Sequence, residues 1–457
     1  MDDSTIQALN TRAIQLRARG QLREAVAAFS EAIVRFPNAA ILYNNLAMTL
    51  DELGAAKEAL IAYDSALMRA PNFTAALTGK ASLLLRDARI DEARKLFEDA
   101  LQTDRHFVAA HLGLYELLQI KGDLKGAVTH QRQALEIQQL YSHVAPNERR
   151  SVLALCAPGD WQANVPVDFL FDRGTVSVHK LYVLDDERLP DEGLPQYDVV
   201  FNTIAESDEA VPYLQLARRF IDEQDRPSLN APELVLRLGR RRLGETLKDV
   251  NCATAPVAEI ARAALLRGDT GFAYPLIVRP VGSHAGHDLE RLSSREELAS
   301  YWERVAAESF FVSPFIDYAA GDGLYRKYRI VYVDGQPFPV HLAISPNWMI
   351  HYYNAPMADH QWMRDEEAAF LADLGSVFRG ELMEAVQGVG RAVGLEYFGI
   401  DCTIGTDGSL LVFEADTAML VHTTDPVELY PYKHEYVPRI YRALEALIDR
   451  LKTADTL

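Results

Sequence analysis

Three carboxylates in the stretch from Phe398 to Asp416 are spaced so that they could do chemistry together. Two apolar, β-branched runs flank the turn signal Thr406-Asp407-Gly408-Ser409, so the stretch reads as a β-hairpin. With those four residues as the loop, Asp401 lies opposite Glu414. Glu414 and Asp416 are two apart and share a face. Left uncompensated, the three acids would repel and raise each other's pKa. A hard divalent cation removes the conflict, and Mg²⁺ is commonly held by one or two carboxylates plus substrate phosphates. The bland alternative is a hairpin with solvated acids.

A second stretch, Tyr274 to Asp288, reads as a short apolar strand, then Arg279, then a loop holding Gly282, Ser283 and Gly286. Glycines let backbone N–H groups approach phosphate oxygens, and a cation at the strand end neutralises them. Strand, cation and glycine loop come first, and a hairpin bearing Asp and then Glu-x-Asp follows more than a hundred residues later. In this order they resemble the ATP-grasp superfamily, over roughly residues 150–450.

That resemblance implies ATP and Mg²⁺ as cofactors, with Asp401, Glu414 and Asp416 as the metal ligands. It also implies two phosphate cations, Arg242 and Arg279, where the family more often has lysine; Arg240 and Arg241 are the alternatives to Arg242. Gly282, Ser283, His284 and Gly286 fall in the lid over the phosphates, with His287 beside them. The two histidines could instead be solvated. Val312, Ser313 and Phe315 match the hinge whose backbone pairs with adenine. Lys327 to Gln336 is a strand of period two ending in an Asp-Gly turn. It is similar to a strand of the ribosomal-protein glutamate ligases, which makes Arg329 the catalytic cation that steadies the transferred phosphoryl group. Lys327 stands where that family has an acid. Pro339 to Asn354 is rich in His, aromatics and Asn, a mixture that suits a substrate pocket; His341, Asn347, His351 and Tyr352 are the candidates. Packed aromatics with partnered histidines are the other reading.

Three kinds of element must position these residues. The first is a repeat array. Gly20, Gly54, Ala88 and Gly122 are spaced by 34; Ala25, Ala59, Ala93 and Ala127, and Ala32, Ala66, Ala100 and Ala134, keep the same step. So do Phe29, Tyr63 and Phe97. A 34-residue period with small residues at fixed places is the tetratricopeptide signature. About four repeats over residues 1–140 make an all-α solenoid, which binds peptides or proteins on a concave face or serves as a spacer. Residues 136–150 read as the boundary. An α/β domain follows over 150–235, with apolar strands near 151–156, 176–183 and 197–201 and a helix over 210–223. It is similar to the domain that precedes the ATP-grasp core in D-alanine–D-alanine ligases. Asn202, Glu206 and Asp208 then sit at a strand's C-terminal end, where such sheets bind ligands; the alternative is that Ser207 or Asp208 caps the next helix. Residues 236–452 complete an α/β + α+β ATP-grasp module.

Composition narrows the function. The chain has 457 residues, 49% hydrophobic and 24% charged, and a net charge of −19. That balance argues against nucleic acid and against an anionic membrane surface as partner. There is no 18-residue apolar run, and Met1 to Ile6 lacks the basic start of a signal peptide. Cys156, Cys252 and Cys402 are far apart and odd in number, which suggests neither disulfides nor zinc and fits a cytoplasmic protein. The reading is an ATP-dependent ligase joining a small-molecule or peptide carboxylate to an amine through an acyl phosphate, with a peptide or protein bound by the repeats. Two alternatives stay open. One is a degenerate, nucleotide-binding ATP-grasp scaffold whose repeats mediate protein–protein interaction. The other is a kinase that stops at phosphorylation.

Overall fold

A computed structural model describes residues 3–184, 193–282, 286, 288–350 and 354–454. The chain forms two compact units, Met1–Gln139 with Pro158–Asp160, and Leu140–Ala157 with Trp161–Leu457.

The first unit is eight helices in four antiparallel pairs: α1 (Asp3–Ala18) with α2 (Leu22–Arg35), α3 (Ala40–Glu52) with α4 (Ala56–Arg69), α5 (Thr74–Arg86) with α6 (Ile90–Thr103), and α7 (Val108–Ile120) with α8 (Leu124–Leu135). Both alanine series are fully buried, because a larger side chain there would force the helices of a pair apart. The aromatic of each second helix reaches the next repeat. The Tyr63 ring fills the space a Cβ on Gly79 would take, and the Phe97 ring does the same at Gly113. Gly20, Gly54 and Gly122 turn the chain within each pair at φ of 74°, 82° and 78°. Ala88 holds the same place at φ 57°, a conformation that strains an L-residue. At the fourth aromatic position Gln131 is buried and accepts the Gly159 N–H at 2.8 Å, so an amide closes the array where a ring would need a fifth repeat.

The second unit holds three sheets. The first joins β1 (Leu140–His143), β2 (Arg150–Cys156), β3 (Val176–Tyr182), β4 (Val199–Asn202) and β5 (Ser228–Leu229) in the order β1-β3-β2-β4-β5. It is parallel except at β1. Strand β1 lies in the stretch the sequence reads as a linker. Helix α9 (Val211–Asp222) lies between β4 and β5; α10 (Pro232–Val235) and α11 (Leu243–Thr246) follow, then β6 (Cys252–Thr254), β7 (Ala258–Ala261) and α12 (Arg262–Leu266). The second sheet is antiparallel, β7-β10-β8-β9, from β7, β8 (Leu276–Pro280), β9 (Glu290–Leu292) and β10 (Ser309–Pro314), with α13 (Arg295–Arg304) between β9 and β10. The third carries the hairpin carboxylates: β11 (Tyr325–Val333), β12 (Gln336–Ser345), β13 (Tyr397–Ile404) and β14 (Leu410–Asp416), ordered β12-β11-β13-β14-β6.

Helices α14 (Gln361–Ala372) and α15 (Glu381–Val393) separate the third sheet's two hairpins in sequence, and α16 (Pro431–Tyr436) and α17 (Pro438–Ala454) follow it. Tyr328 packs edge-on against Phe370 and Phe378, Tyr332 stacks on Phe398 at 4.5 Å, and the Tyr332 hydroxyl donates to the Val386 carbonyl. The apolar side chains of β11 thus anchor the sheet to the helices, leaving Lys327 and Arg329, on alternate positions, to the other face. Among the described residues no helix is long and apolar enough to cross a membrane.

Two substitutions test the repeat packing. Ala88→Gly should raise the stability of the first unit by about 0.5–1 kcal/mol by relieving its left-handed backbone. Gly113→Val should lower it by about 1–3 kcal/mol through collision with Phe97. Urea unfolding of both variants checks this, and the opposite order of midpoints would contradict the packing described.

Candidate functional site

Strand register gathers the site. His341 on β12 pairs with Arg329 on β11, Arg329 with Asp401 on β13, and Asp401 with Glu414 on β14. Four ionisable side chains therefore form one rung across four strands. A register shift follows Arg329 on the β11–β12 ladder, and another follows Asp401 on the β13–β14 ladder. Such bulges re-aim the side chains beside them.

Asp401 is 1% exposed and gripped on both oxygens. Arg329 donates Nε at 2.8 Å to Oδ1 and Nη2 at 3.0 Å to Oδ2, and Lys327 Nζ donates to Oδ2 at 2.8 Å. Burial alone would raise this carboxyl, but the two cations outweigh it and hold the group well below the usual carboxylate range. Glu414 receives Arg240 Nη2 at 2.9 Å. Burial opposes its ionisation, and Arg240, Lys327 and Arg329 bring its pKa below the ordinary value. Asp416 accepts the Ala418 N–H at 2.9 Å, yet burial and the neighbouring Glu414 charge push it up to about 6.

Cations converge on this patch from other elements. Arg279, on β8, is buried; burial, then the charge of Arg240, pulls its pKa down to about 10. Of the three consecutive arginines, Arg240 is the one that meets a hairpin carboxylate. Arg241 pairs with Asp208 and Glu259, and Arg242 donates to the Leu236 carbonyl. Arg240 is thus the one set against Glu414, while Arg242, the expected phosphate cation, lies nearer Glu206. Glu206 rests against Gly239, where a Cβ would collide with its carboxylate. Burial, Asp208 and Asp416 push Glu206 up to about 7. Asn202 serves the scaffold: it is fully buried and donates to the Asn230 carbonyl.

The remaining expected residues are placed unequally. Gly282 and Gly286 have φ of 76° and 73°, the left-handed backbone a glycine loop needs. Ser283, His284, His287, His351 and Tyr352 lie outside the described residues. Val312 is interior to its sheet, paired with Ala258 and Val278, so it is a poor choice for adenine recognition. Ser313 pairs only on the β8 side, and the Phe315 N–H donates to the Pro275 carbonyl. The Phe315 ring carries the Arg291 guanidinium at 4.0 Å. Asn347 is exposed. His341 gives Nδ1 to Glu367 at 2.7 Å. Glu367 escaped the sequence reading, as did Lys433, Asp425 and Tyr432 around it. Glu367 sits in an amphipathic helix among ordinary surface acids, and only its burial at 0% exposure sets it apart.

Among the described residues no three His, Cys, Asp or Glu side chains gather where a metal ion could be held. Asp401 does not fit a ligand role in this arrangement, because two side-chain cations already occupy its oxygens. Glu414 meets Arg240 through Oε2 alone, and Asp416 is raised by burial and by the Glu414 charge, a conflict a divalent cation would relieve, so these two are the residues that would hold it.

The sequence profile of the tetratricopeptide repeat family matches residues 10–73. No curated protein matches the chain. Solved structures similar to it include a thermophilic tetratricopeptide protein of Thermus thermophilus, 20% identical, covering 29% of this chain and 74% of that one at a TM-score of 0.28. MamA residues 41 to the end from Desulfovibrio magneticus is 19% identical, covering 30% and 77% at 0.27. PilF of Pseudomonas aeruginosa is 19% identical, covering 30% and 62% at 0.29. The N-terminal region is thus a tetratricopeptide solenoid, followed by a separate strand-rich region.

Two measurements follow. If Asp401 were only a metal ligand, Asp401→Asn would leave the metal-free melt nearly unchanged. On this geometry it should cost about 1.5–3 kcal/mol, and Arg329→Met about 3–5 kcal/mol, by stranding buried charge. Unchanged melts for both would restore the ligand role. The second concerns pH. A raised carboxyl penalises the fold above its folded pKa, and the penalty fades as pH falls toward the unfolded value. Relative to Asp416→Asn, the parent protein should gain stability between about pH 8 and pH 5; parallel pH profiles would contradict the assignment.

Proposed function

We propose that the strand-rich unit is an ATP-dependent ligase that joins a carboxylate to an amine through an acyl phosphate, and that the repeats recruit the peptide or protein carrying its substrate. The repeats themselves point to protein–protein interaction. The observation that carries the ligase reading is the convergence of Arg240, Arg279, Lys327 and Arg329 on Asp401, Glu414 and Asp416. Four cations meet these three carboxylates, with Glu206 beside them. Arg279 is buried beside Arg240, an arrangement that an arriving polyphosphate stabilises.

In this reading Arg240 and Arg279 grip the phosphates. Asp401 orients Arg329 and Lys327, which stabilise charge on the phosphoryl group in transfer. Mg²⁺, held by Glu414 and Asp416 together with the phosphates, would supply further charge neutralisation. The carboxylate takes up the γ-phosphoryl group and ADP leaves; the amine then forms the C–N bond as the C–O bond to phosphate breaks. No protein nucleophile is required, so positioning and electrostatics carry the catalysis. The second reading, a nucleotide-binding scaffold without turnover, draws on the saturation of Asp401 by cations.

Calorimetry with Mg·ATP should show binding that Arg240→Ala and Arg279→Ala each weaken by about 1.5–3 kcal/mol, and Arg242→Ala by less. ADP release screened over carboxylate and amine pairs, with product mass, separates ligation from phosphorylation and from binding alone. Absence of ATP binding would sink both readings.

A further inference from the structure

At the β12 end of the rung the second unit encloses a cavity of about 190 Å³, lined among others by His341, Met357, Glu367, Asp425, Tyr430 and Lys433. At about 30 Å³ per water this is room for roughly six waters, or for a short aliphatic chain with a polar head. It meets the phosphate patch through His341, whose neighbour across the ladder is Arg329.

The lining has a definite charge. Lys433 is 2% exposed, 3.1 Å from Asp425 and 3.4 Å from Glu367, with its ammonium 4.6 Å from the Tyr430 ring centroid. Glu367 accepts from His341 Nδ1, from the Tyr432 hydroxyl at 2.6 Å and from the Leu342 N–H at 3.2 Å. Burial works against its charge, but His341, Lys433 and Tyr432 hold it down at about 2. Burial pushes His341 below its ordinary pKa, toward the neutral form. Among the described residues two carboxylates therefore face one ammonium, a net negative wall. Nearby cations among the described residues do not reverse this: Arg364 on α14 donates to the carbonyls of Met357 and Ala358 and to Gln361, and Arg329 is matched by Asp401. His422 is likewise pushed toward neutrality by burial and by Lys433. With Nδ1–H given to Glu367, the neutral His341 ring carries its lone pair on Nε2, an acceptor. Met357 with Ala355 and Ala358 supplies an apolar wall.

Acceptors, excess negative charge and an apolar wall suit a cation on an alkyl stem. We propose that this cavity binds a primary alkylammonium group, the amine partner of the ligation, an assignment that rests on the ligase reading for its role though not for its chemistry.

The test uses the full chain without nucleotide and two probes of similar shape and opposite charge, n-propylammonium chloride and sodium propionate, followed by saturation-transfer NMR. Propylammonium should bind saturably and propionate should not. Asp425→Asn, which removes the excess negative charge, should weaken propylammonium at least about tenfold. Ala358→Trp, at an exposed lining position, should abolish binding by filling the space, with circular dichroism confirming that both variants fold. Stronger binding of propionate, binding unaffected in both variants, or no saturable signal up to about 100 mM, the weak limit for so small a ligand, would each overturn the proposal. Because ATP is absent, specific propylammonium binding supports the cavity even if turnover fails, and its absence in a chain that turns over ATP overturns the cavity alone.

Discussion

A carboxylate that is 1% exposed cannot stay ionised without partners, and the charged face of the third sheet is built around that constraint at Asp401. Two cations from β11, Lys327 and Arg329, take both of its oxygens. A buried pair of this kind adds little to stability compared with a well-packed apolar core, but breaking it is costly. Its value is therefore positional. It locks β11 to β13 in one register and points a guanidinium and an ammonium toward the hairpin that carries Glu414 and Asp416.

The rest of the site follows from that lock. Once Arg329 is aligned with Asp401, its other neighbour is His341, which is drawn to Glu367 at the sheet edge. On the opposite side Glu414 receives Arg240, and Arg240 in turn lowers the pKa of Arg279. Neighbours along this line from Glu367 to Arg279 are coupled, and like charges also meet on it, Asp401 beside Glu414 and Arg240 beside Arg279. Asp416 and Glu206 are held near the middle of the pH range by burial and by like charge. Such perturbed groups collect at functional sites. Here they lie beside a cluster of cations, which is the electrostatic setting for a phosphate and its metal.

Much of the scaffold was legible in the chain. The repeats announce themselves because a close-packed helix pair admits only small residues at fixed places, and Ala25 through Ala127 recur at those places. The hairpin was legible because Asp407-Gly408 marks its turn, and the register duly sets Asp401 against Glu414. The partners of Asp401 were not legible. Lys327 and Arg329 lie 74 and 72 residues away, and the pairing of β11 with β13 depends on packing against α14 and α15 rather than on any local signal. For the same reason the three acids looked uncompensated and called for a metal at all three. Arg240 could not be told from Arg242, since their difference is the path of a loop, and Glu367 could not be told from a surface acid until its burial was known.

In the proposed function side-chain cations keep Asp401 while Glu414 and Asp416 face the metal and the nucleotide. The decisive experiment is anomalous diffraction from crystals of the full chain grown with Mn²⁺ and a non-hydrolysable ATP analogue. The expected result is Mn²⁺ bound by Glu414, Asp416 and phosphate oxygens, with Arg240 and Arg279 on the phosphates and Asp401 still paired to Lys327 and Arg329. Manganese bound directly by Asp401 with Arg329 released, or a nucleotide found away from these arginines, would contradict it.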